Sequence, residues 1–397
     1  MKQQFVIIGA SAAGISAITT LRKLAPDSSV VCITQEQQLP YNKCFLADYL
    51  SGIKTQQQLF LKQESFFQDS FLTFKLGVSV VSIDRHNNRV HCSDGTVVEY
   101  TQLLLAVGSS MHMPPIKGFQ GAHNLFQFHT LNDAQGLLDY CARPDVKDAL
   151  VIGGGLSGLE CADSLRLRGI KVTVIEREPQ VMPRQLTLKA ADFVHSAMKS
   201  VGVGLLQQVS VDHVINANGI ITHVVLEDGT LLKTDLVVCA LGVRPNSELA
   251  HHAGLAVEQG AVVTNEFLQT NDPLIFAAGD VAQVTDVFTH EKIRSCAWPD
   301  AVQQGMYAAT NMAGTQKKYP GTTTTTSTSF FGIKLAVAGN LKELDVSYNS
   351  KLHQASELFE YIVFKDRIVK GFITLGSKTN ASALRQSLLA QVPYELE

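Results

Sequence analysis

A strong charge of either sign is missing from this chain. Its 397 residues carry 33 Lys and Arg against 36 Asp and Glu, a formal net charge of -3. No basic block is available to grip a phosphate backbone, which argues against a nucleic-acid partner. Long apolar runs are missing too, and none approaches the ~18 residues of a membrane span. The opening Met1-Lys2-Gln3-Gln4 leads straight into a short apolar run and a glycine turn, without the pattern of a secretory leader. Cysteine is sparse and scattered, at positions 32, 44, 92, 141, 161, 239 and 296, with no CxxC pair. That pattern argues against a zinc knuckle or a disulfide framework and suits a reducing cytoplasm. The 12 histidines show no metal spacing, so no metal site is expected. What is abundant is apolar material, 45% of residues, enough for buried cores. At ~100–200 residues per domain the length suggests two to four domains.

An internal repeat organises this material. Phe5-Val6-Ile7-Ile8 has the look of a buried parallel strand and meets Gly9-Ala10-Ser11-Ala12-Ala13-Gly14. A helical pattern follows until Pro26-Asp27, and residues 30–33 read as the next strand. The plan recurs 144 residues later: Ala149-Leu150-Val151-Ile152 runs into Gly153-Gly154-Gly155-Leu156-Ser157-Gly158, then a helix ending at Gly169, then a strand closing on Glu176. Downstream, Asp94-Gly95 and Asp228-Gly229 mark hairpins, and a strand-ending glycine, Gly108 or Gly242, follows each aspartate by 14 residues. Two copies of one βαβ design with shared landmarks imply two Rossmann-like domains, each with a β-hairpin excursion.

The glycines of such a turn allow a tight bend, the approach of a pyrophosphate to the backbone, and close helix–strand packing. The helix N-terminus then offers N–H groups and partial positive charge to the phosphates. Gly153, Gly155 and Gly158 satisfy all three positions; Gly9, Ser11 and Gly14 do so with a small side chain at the middle one. A carboxylate at the end of the following strand accepts from a ribose. Glu176, 23 residues after Gly153, fills that role and favours NADH over NADPH, because it repels a 2′-phosphate. In the first copy Glu36, at an offset of 27, is the carboxylate nearby.

Further segments resemble the flavin-dependent pyridine nucleotide-disulfide oxidoreductases. Ala106-Val107-Gly108-Ser109 is similar to that family's A-T-G-S turn, with Val107 where threonine is usual. Gly242-Val243-Arg244-Pro245-Asn246 resembles its G-x-R-P-N stretch, and residues 270–282, ending in Ala278-Gly279-Asp280-Val281-Ala282, resemble its second FAD fingerprint. Trp298-Pro299-Asp300 opens what looks like the helix after it. The resemblance spans essentially the whole chain and implies an α/β enzyme with an FAD domain, an NAD domain and a small α+β C-terminal domain. The expected boundaries are 1–110 and 241–315 for the two parts of the FAD domain, 111–240 for the NAD domain and 316–397 for the tail. It also implies cofactor contacts at Gly9, Ser11, Ala13, Gly14, Glu36, Lys43, Ala106, Gly108, Gly242, Gly279, Asp280 and Trp298, with Gly153, Gly155, Gly158, Glu160 and Glu176 in the NAD copy. Asp280 would hold the ribityl chain. The helix opened by Trp298 would point its N-terminus at the flavin pyrimidine, and Glu160 resembles a residue beside the nicotinamide.

The segment from Pro40 to Gly52 resembles two subgroups. Pro40-Tyr41-Asn42-Lys43 is similar to flavorubredoxin reductases and the flavin module of nitrite reductases, in which Cys44 merely takes the place of a proline. Read from Tyr41, the spacing Y-x-x-C-x-L-x-x-Y-L-S-G resembles coenzyme A-disulfide reductases and NADH oxidases, in which Cys44 would be the single redox cysteine and Lys43 would help lower its pKa. Position 49 is tyrosine, so an internal CxxxxC disulfide is excluded. The remaining cysteines read as inert core residues. The tail, with 10 Lys and Arg against 7 Asp and Glu, is short for the single-cysteine enzymes. Within it, residues 317–321 read as a linker, 330–339 as the first strand, 361–372 as a hairpin turning at 365–367, and 381–389 as a helix.

The expected activity is transfer of electrons from NADH through FAD to a small redox protein of rubredoxin, flavorubredoxin or ferredoxin type. The alternatives are a small-molecule acceptor (oxygen, peroxide, or a coenzyme A disulfide or persulfide) reduced through Cys44, and a non-catalytic nucleotide-binding sensor. A monomer or homodimer in the cytoplasm is expected.

Overall fold

The computed structural model describes residues 3–323, 325–339, 341, 349–355, 358–376 and 381–394. Met1 and Lys2, of the opening Met1-Lys2-Gln3-Gln4, lie outside these. The chain forms two compact units.

The first unit comprises residues 1–44, 56–110 and 243–323. At its centre a five-stranded parallel sheet runs in the order Ile275–Ala277, Gln102–Leu105, Gln4–Ile8, Ser29–Thr34 and Leu72–Leu76. Alternation along the strands divides the core in two. Phe5, Ile7, Cys32 and Leu104 join the cluster that contains the helix Ala12–Leu24, while Val6, Ile8, Val31 and Leu105 join the cluster on the other side. The helix Trp298–Met312 crosses Ala12–Leu24 closely enough that a Cβ on Gly305 would lie 2.1 Å from the Ala13 carbonyl oxygen. The hairpin excursion is a three-stranded antiparallel sheet, Val80–Asp84, Arg89–Cys92 and Val97–Glu99.

The second unit comprises residues 45–55, 111–242 and 324–397. Its parallel sheet repeats the design in the order Gly204–Gln207, Lys171–Glu176, Asp148–Ile152, Leu236–Cys239 and Leu125–Phe126. Its excursion is again three-stranded and antiparallel, Val211–Ala217, Ile220–Leu226 and Leu231–Lys233. The short helix Leu46–Ser51 is fastened here. Ser164 Oγ donates to the Ala47 carbonyl at 3.0 Å and Arg168 Nε to the Leu50 carbonyl at 2.7 Å. Tyr49, at the position where a second redox cysteine would stand, donates its hydroxyl to Gln135.

The tail packs within this second unit as a five-stranded antiparallel sheet, Thr325–Phe330, Ile333–Ala338, Ile368–Gly376, Leu358–Lys365 and Asn349–Ala355, with the helix Ala381–Ala390. The hairpin at 365–367 and the last helix lie where the sequence indicates. Residues 330–339 differ: Phe330 ends one strand and Ile333 begins the next, joined by a turn at Phe331-Gly332, both with the positive φ that a two-residue hairpin turn requires. Among the described residues no helix is long and apolar enough to cross a membrane.

Candidate functional site

In each unit the site is built around a strand–turn–helix junction. Gly9 has φ +105°, and a Cβ there would lie 2.1 Å from the Ala106 carbonyl oxygen; a Cβ on Gly14 would lie 2.0 Å from the Gly9 carbonyl oxygen. Gly153 and Gly158 repeat both restrictions, against Ala240 at 2.4 Å and Gly153 at 2.0 Å. The middle positions behave differently. Ser11 (φ -92°, ψ -155°) and Gly155 (φ -75°, ψ 179°) are extended N-cap residues, a conformation open to any L-residue. Serine therefore fits the first turn without strain, and at Gly155, where a Cβ would meet nothing within 4 Å, the missing side chain matters only to a ligand.

Neither helix start is capped by a side chain, nor is that of Trp298–Met312. By contrast, the helices Leu131–Cys141 and Leu188–Ser200 begin on threonines that accept from their N3 amides. The three helices expected to face cofactor thus have first amides that no side chain caps, as do the short helices Leu46–Ser51 and Glu248–His252. With the glycine approach, this set fits a dinucleotide phosphate in both units.

In the first unit, Glu36 accepts from Tyr41 Oη at 2.6 Å and pairs with Lys43 Nζ at 3.1 Å. The two expected cofactor residues are thus brought together. Lys43 is a partner of Glu36 as well as the chain neighbour of Cys44. Ser109 Oγ donates to Asp280 Oδ2 at 2.7 Å, fixing the carboxylate expected to hold a ribityl chain. The Gly279 amide donates to the fully buried Gln304 side chain at 2.7 Å. Asn246, in the G-x-R-P-N stretch, is structural: its side chain binds the Val107 carbonyl at 2.8 Å and its amide the Gly108 carbonyl at 3.0 Å. Ala13 is buried under Gly305 and Gly279. Trp298 opens its helix and packs against the core, with Pro299 in the first turn. That helix carries its own buried first-turn carboxylate, Asp300, which accepts from Ser295, so its positive end is partly offset from within.

In the second unit both oxygens of Glu176 are held by backbone, Oε2 by the Gly154 amide at 2.7 Å and Oε1 by the Glu178 amide at 2.8 Å. The side chain is therefore fixed at the strand end beside the turn. Glu160, two residues beyond Gly158, accepts from Thr328 Oγ1 at 2.5 Å. Burial pushes its carboxyl up to about 7; the Thr328 hydroxyl opposes that rise and the charge of Asp48 adds to it. Gly242 ends its strand with φ +88°. Thr328, Tyr41, Gln304 and Asp300 have no assigned role in the sequence reading, since their contacts join residues whose pairing no local pattern encodes.

Cys44 is exposed, in the short 3-10 turn Lys43–Phe45, with its amide bonded to Asn42 Oδ1 at 3.0 Å. Burial drives the Cys32 and Cys161 thiols above their usual range, and those of Cys141 and Cys239 up to about 11. Cys296 corrects the reading of the remaining cysteines as core: it is exposed, just before the Trp298 helix, and Cys141 is only half-buried.

The profile of the family described as Pyridine nucleotide-disulphide oxidoreductase matches residues 3–305. An NADH oxidase of Methanocaldococcus jannaschii is 33% identical over 320 residues, covering 79% of this chain and 71% of that protein. A rubredoxin-NAD(+) reductase of Pseudomonas putida is 30% identical over 386 residues, 96% of this chain and 98% of that protein. Among solved structures, the reduced CoADR-RHD of Bacillus anthracis superposes with a TM-score of 0.92 at 28% identity, covering 100% of this chain and 77% of that one.

Proposed function

The chain belongs to the pyridine nucleotide-disulphide oxidoreductases, and from that membership we propose that it passes electrons from NADH through FAD to a small redox protein. As a member it is an FAD-dependent NAD(P)H oxidoreductase. Bound FAD supplies the ability to take a hydride and release electrons one at a time. The chain's own residues bind and orient. In the first unit the Gly9 turn and the amides of Ala12–Leu24 take the FAD pyrophosphate, and Asp280, steadied by Ser109, takes the ribityl hydroxyls. In the second unit the Gly153 turn takes the pyrophosphate of NADH, and Glu176, locked by two amides, accepts from its adenine ribose. Its fixed negative charge disfavours the 2′-phosphate of NADPH. Glu160 would face the nicotinamide of bound NADH, where its carboxylate would stabilise positive charge developing on that ring.

The observation that carries the choice of acceptor is the near end-to-end match to the P. putida reductase, over 96% of this chain and 98% of that protein. Position 49 is a tyrosine bound to Gln135, which leaves no second thiol for an internal disulfide. The exposure of Cys44 and the match to the M. jannaschii oxidase favour a second reading, thiol-mediated reduction of a small acceptor.

The purified flavoprotein, reduced anaerobically by NADH, is expected to bleach at 450 nm on the order of its turnover rate and to reoxidise with a rubredoxin-type protein. Cys44→Ser is expected to keep both steps within about twofold, a change of under ~0.5 kcal/mol. Loss of reoxidation in that variant, with bleaching intact, overturns the first reading in favour of the second.

A further inference from the structure

Two carboxylates one turn apart on the helix Leu156–Leu167 grip the first hairpin of the tail. Glu160 Oε1 accepts from Thr328 Oγ1 at 2.5 Å. Asp163 Oδ2 accepts from the Phe331 amide at 2.9 Å, while its Oδ1 binds the Arg166 guanidinium at 2.7 and 2.9 Å. A spacing of three on the helix thus meets a spacing of three on the hairpin, so the strand Thr325–Phe330 is registered against the helix at the residue where Glu160 emerges. Asp163 fixes where the strand lies, and Thr328 converts that placement into one hydrogen bond on one oxygen of Glu160.

We propose that Thr328 is a positioning residue for Glu160, holding the carboxylate in one rotamer and in its ionised form for the departure of hydride from NADH. The proposal rests on the reading of the second unit as the NADH site. Thr328 acts through Glu160 and is not assigned a contact with nucleotide.

The chemistry decides the direction of the bond. An ionised carboxylate is acceptor only, so the threonine hydroxyl donates to it, and a donor to a charged oxygen makes a stronger bond than the reversed one to a neutral acid. Removing the hydroxyl therefore penalises the ionised form. Among the described residues the other charged groups near Glu160 are these. The short helix Leu46–Ser51 contributes Asp48, whose charge opposes ionisation and which is itself 3.8 Å from Lys54. Its own helix contributes Asp163, offset by Arg166. The strand Thr325–Phe330 (TTSTSF) is uncharged. Burial and the Asp48 charge raise Glu160 and the Thr328 hydroxyl opposes them, with a net position at about 7, so the hydroxyl is the contact that favours the ionised form near neutral pH.

The test uses the FAD-loaded full chain as wild type, Thr328→Val and Thr328→Ser. Carbon-13 labelling of glutamate carboxyls, with Glu160→Gln to assign the signal, gives the titration midpoint of Glu160 directly by NMR. The midpoint is expected near 7 in the wild type, higher by about half a unit to one unit in Thr328→Val, and restored in Thr328→Ser. In stopped flow the rate of flavin bleaching by NADH is expected to rise with pH through the same midpoints, so Thr328→Val is slower by roughly two- to fivefold near pH 7 and recovers towards pH 9. An unmoved NMR midpoint in Thr328→Val, or a serine that does not restore it, overturns the role of Thr328, whether or not NADH reduces the flavin. A wild-type protein that NADH fails to bleach at any pH overturns the NADH reading instead, and leaves the NMR titration to report on the Thr328–Glu160 pair alone.

Discussion

At Glu160 burial and helix polarity pull in opposite directions. Its place in the first turns of a helix favours charge, yet enclosure by the protein pushes it up to about 7. A folded value above the unfolded one means that the folded chain keeps a proton that the unfolded chain releases from about pH 4.5 upwards. The stability linked to that proton is complete below the unfolded value and is lost as pH rises through the folded one. Above pH 7 the ionised group is therefore a liability to the fold, by an amount on the order of 3 kcal/mol. Glu160→Gln keeps the acceptor for Thr328 and removes the charge. It is expected to raise stability by less than about 1 kcal/mol at pH 5 and by about 3 kcal/mol at pH 8, read as urea midpoints at the two pH values. A gain at pH 5 as large as at pH 8 contradicts the assignment. The same substitution should slow hydride transfer, the familiar exchange of stability for function at a site whose charge is held against its surroundings.

At the scale of the element, the glycine turn separates two demands that its sequence signature merges. Gly158 is required by the fold, since a Cβ would sit 2.0 Å from the Gly153 carbonyl oxygen, whereas Gly155 has ordinary dihedrals and open space. Gly158→Ala is expected to destabilise the chain by about 2 kcal/mol or more through forced separation of helix and strand. Gly155→Ala is expected to melt within about 2 °C of the parent. It should nevertheless weaken NADH roughly tenfold, a loss of ~1.4 kcal/mol, because the methyl group stands where the pyrophosphate approaches. Calorimetry and a nucleotide titration check the pair. Equal losses of stability in both variants contradict the division of roles. Spacing made these glycines legible, and so were the strands that flank them, because apolar runs and turn residues act locally. Thr328, Tyr41 and Asn246 were not legible in this way: each does its work on a partner brought close by the fold, Thr328 on a residue 168 positions away. The turn at Phe331-Gly332 was missed for a related reason, since it interrupts an apolar stretch that reads as continuous when pairing along the tail sheet is unknown.

At the scale of the whole molecule, the two copies of one design fall into separate compact units, and the residues proposed to hold each nucleotide divide between them. Gly9, Glu36, Lys43, Ser109 and Asp280 lie in the first; Gly153, Glu160, Glu176 and the tail strand that carries Thr328 lie in the second. If the proposed division of nucleotides is right, each ligand protects its own unit. Saturating the flavin-free protein with FAD at about 100 times its Kd stabilises the binding state by ~2.7 kcal/mol, and NAD+ at the same saturation does the same independently. Hydrogen exchange followed by mass spectrometry locates the effect. FAD is expected to slow exchange in the strand Gln4–Ile8, the first turns of Ala12–Leu24 and the segment around Asp280, and to leave Lys171–Glu176 unchanged. Added alone, NAD+ is expected to slow exchange in the strand Lys171–Glu176 and the first turns of Leu156–Leu167, with the Gly9 turn unchanged. Because Glu160 reaches the tail, the NAD+ effect should extend to Thr325–Phe330, and Thr328→Val should erase that extension while sparing the protection at Glu176. Protection of the same turn by both ligands contradicts the assignment of one nucleotide to each copy, since two turns of one design then have one function between them.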